Sequence, residues 1–118
     1  MKVNSALIGR AGELLVAAEL LRLGIEIANP ARDVGVDILA YQLHGHAVAS
    51  YFVPVQVKAA SGTGYAFEKV WFEKAPGIVL VQVWHVQTVP EFYVFDNLKA
   101  VEDALGPRHV ASPSWRDR

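Results

Sequence analysis

The stretch GVDILAYQLHGHAVASYFVPVQVKA, residues 35 to 59, decides the fold. Gly35 to Leu43 and Tyr51 to Ala59 read as two strands, joined by a loop containing His44-Gly45-His46. Their spacing predicts an antiparallel hairpin with a loop longer than two residues. Side chains alternate along a strand, so Val53, Val55 and Val57 share one face and Gln56 and Lys58 the other. Pro54 has no N–H for a ladder hydrogen bond, which predicts an edge position or a local bulge there. Asp37 interrupts the first strand just after a Gly-Val pair. Asp is disfavoured inside strands, so something must compensate for it, and a turn-capping or strand-edge role is the ordinary explanation.

Working outward, Ser5 to Gly24 reads as one long helix closed by a C-terminal glycine. At about 100° per residue, Leu7, Ala11, Leu14, Ala18 and Leu21 fall on its apolar face, with Ser5, Glu19 and Arg22 opposite. Ile25 to Ala28 reads as a short strand ended by the turn formers Asn29-Pro30. On the other side of the hairpin, Ser61-Gly62-Thr63-Gly64 is a flexible connector, and Ala66 to Lys74 is open between a short helix and an irregular loop. Ile78 to Val86 is an almost continuous apolar run, which fits a strand buried on both faces. Phe92 to Phe95 is a further strand. Asp96 reads as the N-cap of a helix over Asn97 to Leu105, ended by Gly106-Pro107. The order is helix, three strands, an open segment, two strands, helix. That predicts an α/β domain with a mixed sheet flanked by helices over residues 1–107, and a C-terminal tail over 108–118.

The chain has 118 residues, 53% of them apolar and 19% charged. This suits one core and is too apolar for a disordered chain. No stretch approaches the ~20 apolar residues of a membrane helix, and no secretion signal is evident, so a cytoplasmic, membrane-free protein is expected. There are no cysteines, which removes disulfides and thiolate metal sites. Eleven Lys and Arg against twelve Asp and Glu give a net charge of −1. Nucleic-acid-binding domains are often markedly basic, so a role on nucleic acid would have to rest on a local constellation.

Three places could carry chemistry. Glu13 lies near the apolar face of the first helix, where a lone carboxylate is costly to bury, although an ion pair with Arg10 explains it equally well. Asp37 is the second. Gln56 and Lys58 are the third, and an exposed polar face would explain them in isolation.

Taken together, Gly9-Arg-Ala-Gly-Glu13, Gly35-Val-Asp37-Ile and Gln56-Val-Lys58 resemble the PD-(D/E)XK nuclease superfamily, whose fold is restriction-endonuclease-like. The nearest likeness is to archaeal Holliday junction resolvases and Mrr-like restriction endonucleases, over roughly residues 5–86. The resemblance implies a Mg²⁺- or Mn²⁺-dependent endonuclease acting on DNA. It implies metal ligation by Asp37, the Val57 carbonyl, Gln56 and Glu13, with Lys58 orienting or deprotonating the attacking water or stabilising developing charge. Asp37, Gln56, Lys58 and Glu13 would then be the catalytic set. Such a cation prefers oxygen ligands and offsets charge on the phosphorane oxygens. Gln56 departs from the family's usual Glu or Asp and removes one negative charge from the site, though Mrr-like members also carry Gln there. The alternative expectation is a nuclease-like module that binds nucleic acid or protein without catalysis.

Other candidates have ordinary explanations. His44 and His46 read as solvated loop residues, and His85 as a core or interface histidine. Trp71, Phe72, Trp84, Phe92, Tyr93 and Phe95 read as core or oligomer interface, and the apolar content makes a homodimer an expectation. Arg108, His109, Trp115, Arg116 and Arg118 make the tail locally basic.

Overall fold

The computed structural model describes residues 3–32, 35–48, 51–65 and 67–111. Helix α1 spans Ser5–Arg22. Asn4 caps it, its side-chain oxygen accepting the Ala6 N–H at 2.7 Å. Gly24, at φ 81°, takes the left-handed conformation that turns the chain out of the helix. Strands β1 (Glu26–Ala28), β2 (Ile38–Tyr41), β3 (Leu43–His44), β4 (Ala47–Val48) and β5 (Val53–Ala59) follow. Then come α2 (Val70–Lys74), β6 (Val79–Trp84), β7 (Glu91–Phe95), α3 (Leu98–Leu105) and α4 (Pro107–Val110).

Five strands form one mixed sheet in the order β1-β2-β5-β6-β7. The hairpin expectation holds, with β2 antiparallel to β5, and β3 and β4 make a small ribbon within its loop. β5 and β6 run parallel, Val55 opposite Val79 through Ala59 opposite Val83. Parallel neighbours need a long crossover, and residues 60–78, with α2, supply it. This settles the open segment in part: 70–74 is helical, while Ala66 lies outside the described residues.

The strand alternation builds two layers. Val55, Val57, Val81 and Val83 meet α1 through Val16. On the opposite face Leu80 and Phe95 meet Phe67, Ile78 and Val101 of α3.

Four expectations are corrected. The buried stripe of α1 is Ile8, Gly12 and Val16, whereas Leu7, Leu14 and Leu21 stand exposed. The helix is apolar nearly all round, so periodicity alone does not choose the face. The choice falls to Gly12, where an added Cβ would collide with the Ala59 methyl; only hydrogen lets α1 sit this close to β5. Second, Asn97, not Asp96, caps α3, its side chain accepting the Ala100 N–H at 2.8 Å. Third, the first residues assigned to the tail continue as α4, while 112–118, with Trp115, Arg116 and Arg118, lie outside the described residues. Fourth, His85 is no core residue. It sits half-exposed in the turn after β6 at φ 55°, its Nε2 3.8 Å from Glu91 Oε1. Pro54 is a subtler case: β5 is central, but its pairing with β6 begins only at Val55, so the strand behaves as an edge at Pro54 itself.

Candidate active site

The site grows from the place where β2 and β5 part. Their pairing covers Val53 to Val55 only, so beyond Val55 the flank of β5 away from β6 has no ladder partner among the described residues. Asp37, just before β2, occupies that gap. Its main-chain N–H donates to the Val55 carbonyl at 2.9 Å. Its carboxylate Oδ2 accepts the Val57 N–H at 2.8 Å. A carboxylate thus stands in for the missing strand, which is the compensation that an Asp in this apolar run requires. The N–H and C=O of one residue leave a strand by the same edge, so the Val57 carbonyl opens to the gap as well.

Helix α1 brings the second acid. Because Gly12 presses the helix onto β5, Glu13 is set over the open end of the sheet. Glu13 and Asp37 line one cleft of about 320 Å³ with Arg10, Asn29, Arg32 and Val36. The Arg10 ion pair exists too, Nη1 lying 3.4 Å from Glu13 Oε1. At that distance, with the arginine largely exposed, it contributes little to stability. Glu13 is thus paired with Arg10 and lines the aspartate's cleft.

Gln56 and Lys58 do not line this cleft. They are the alternate residues of β5 and project to the aromatic side of the sheet. Gln56 is not on an exposed polar face: it is 7% exposed, and its Oε1 has no hydrogen-bond partner among the described residues. Lys58 places its ammonium 5.0 Å from the centre of the Trp71 ring, a cation–π arrangement. Trp71 also reaches back to the aspartate's strand, its Cδ1 lying 3.8 Å from where a Cβ of Gly35 would stand. The amide and the ammonium thus lie on the aromatic face of β5, while the Asp37 carboxylate sits at the strand's open edge and shares a cleft with Glu13.

The Glu13 and Asp37 carboxylates that share the cleft are hard-oxygen donors of the type Mg²⁺ takes, and the Val57 carbonyl and the Gln56 amide oxygen are of the same type. Among the described residues no group of three or more His, Cys, Asp or Glu gathers, His44 and His46 included. A cation here would depend on the amide and main-chain oxygens as well as the acids.

Three contributors escaped the reading of the sequence. Arg32 lines the cleft, and nothing but its nearness to Asp37 in sequence marks it. Trp71 holds Lys58, which requires the crossover to fold back. Gln82 is 1% exposed, with its Oε1 also unpartnered, directly beside Lys58 in the parallel register. A lone polar residue within the apolar run 78–86 was the available signal. No family model, curated protein or solved structure matches this chain.

Proposed function

We propose that this protein is a divalent-metal-dependent endonuclease of the restriction-endonuclease-like fold, hydrolysing phosphodiester bonds in DNA. The observation that carries the reading is the Asp37 carboxylate seated on the Val57 amide where β5 leaves β2, sharing a cleft with Glu13. Asp37, the Gln56 amide oxygen, the Val57 carbonyl and Glu13 would hold Mg²⁺ or Mn²⁺. When bound, such a cation offsets the charge that develops on the phosphorane oxygens.

The chain's own residues supply the rest. The hydrogen bond from the Val57 N–H fixes the direction of the Asp37 carboxylate. Arg10 and Arg32 line the cleft beside Glu13 and Asp37, balancing their charge and offering guanidinium groups of the type that bind phosphate. Lys58, steadied by Trp71, offers an ammonium that can orient the attacking water or receive negative charge. Small residues at 61–64 leave room for a nucleic-acid backbone to approach.

Cleavage of supercoiled plasmid, a four-way junction and single-stranded DNA, with Mg²⁺ or Mn²⁺, tests the proposal. Nicks or breaks are expected, abolished in Asp37→Asn with thermal unfolding unchanged. Absence of cleavage on all three substrates with both ions would remove the enzymatic reading.

The neutral Gln56 and the net charge of −1 favour a second reading, a non-catalytic module with this fold. Mn²⁺ titration separates the two: no ion binding by the folded protein, and none lost in Asp37→Asn, supports the module.

A further inference from the structure

We propose that the α1 side of the sheet is a self-association surface, on which a second copy of this chain docks with its helix ridge in the first copy's groove. Leu7, Leu14 and Leu21 are 63%, 54% and 53% exposed, seven residues apart on the outer face of α1. Successive leucines at that spacing drift only ~20° around a helix, so they form one ridge. Ala18 beside them is low enough to let another surface come close.

The same side of the sheet carries the matching concavity. Helix α1 leaves part of the sheet bare, and a groove of about 370 Å³ opens there, walled by Leu20, Val53, Val79, Val81 and Val94 with Tyr51 at its rim. Val94 is 65% and Tyr51 91% exposed. Almost nothing polar converges in it, so it lacks the few placed hydrogen-bonding groups that orient a small ligand. A ridge and a groove of the same chemistry, opening in the same direction, are what a two-fold axis requires: each copy gives its ridge and receives one. Helix α1 would then lie between two sheets, its own through Ile8, Gly12 and Val16, the other through the leucines.

Charge and area agree with this occupant. The charged residues of α1 are already neutralised within the helix, Arg10 by Glu13 and Arg22 by Glu19 at 2.7 Å. Two copies therefore bring no net charge from these ridges against each other. The three leucines, Tyr51 and Val94 each expose on the order of 100 Å². With the alanines and half-buried valines between them they approach the ~800 Å² per partner of a stable interface.

Sedimentation velocity across micromolar concentrations tests it on mass alone, independently of whether the protein cuts DNA. The wild type is expected at twice the monomer mass. Leu14→Asp on the ridge and Val94→Lys in the groove are each expected to be monomeric, with circular dichroism and thermal unfolding of a folded protein. Mixed in equal amounts they should re-form a dimer, because the new Asp meets the new Lys. A monomeric wild type overturns the proposal, as does a Val94→Lys variant that stays dimeric, which would place ridge on ridge. If Leu14→Asp does not fold, Leu7→Gln at the more exposed end carries the same reading.

Discussion

On the α1 side of the sheet, β5 and β6 present Val55, Val57, Val81 and Val83; on the other side the same strands present Gln56, Lys58, Leu80 and Gln82. The aliphatic side is closed by one glycine contact to a helix. The other side is roofed by rings, Tyr65, Phe67 and Phe95 meeting at 5.1–5.7 Å between centroids. Burying an amide oxygen without a partner costs free energy that a valine would not. The polar side bears that cost twice, at Gln56 and Gln82. The difference is that one face of the sheet is packed with aliphatic side chains alone, whereas the other buries polar side chains among rings.

The contrast can be broken from either side. Lys58→Met keeps the hydrocarbon stem over Trp71 and removes only the ammonium. If the polar side is chemical, cleavage falls on the order of a hundredfold, about 2.7 kcal/mol of barrier, while the unfolding midpoint stays put. Equal losses of activity and stability would make Lys58 a structural residue. Gly12→Ala strikes the scaffold side instead, forcing a methyl against Ala59. Overpacking of this type costs about 1–3 kcal/mol, readable by urea unfolding, and an unchanged midpoint would mean that α1 sits further from β5. Gln82→Met removes an unpartnered acceptor at nearly constant shape. Stability is expected to rise by about 1 kcal/mol in thermal unfolding, and a fall would show that the amide oxygen is satisfied in solution.

The smallest effect is at the margin of the aromatic side. The Tyr93 hydroxyl donates to Glu91 Oε2 at 2.6 Å. That hydrogen bond, with some burial and the carboxylate's charge, holds the Tyr93 pKa above its ordinary 10.0. A folded pKa above the unfolded one means the contribution is whole below pH ~10 and is lost as pH climbs through the raised value. Denaturant midpoints at about pH 9 and 11 should therefore differ slightly more in the wild type than in Tyr93→Phe.

Much of this was legible before any coordinates. The hairpin of Gly35–Leu43 with Tyr51–Ala59 and the doubly buried strand at 78–86 follow from alternation and β-branched runs, which are local signals. The site was legible in part. Asp37 announced itself because an acid in an apolar strand needs a partner, and that partner is the Val57 N–H. Glu13 was equally balanced between an ion pair with Arg10 and a role in chemistry; the ion pair is present, and Glu13 also lines the cleft of Asp37. Gln56 and Lys58 share one face as read, but Gln56 is buried rather than on an exposed polar face, and Lys58 lies against Trp71, which only the folded-back crossover brings there. The face of α1 was misread for a similar reason: leucines on every side leave the helix no preferred face.

What the sequence determined by itself is the main series of elements and one residue, Asp37, whose charge tolerates few surroundings. Backbone period and the cost of an unpaired charge act between near neighbours, so they are written in the chain order. Which side of α1 meets the sheet, where β2 parts from β5, and what closes over Gln56 and Lys58 were decided only by tertiary structure. Those outcomes turn on contacts between residues tens of positions apart, whose fit no local pattern records.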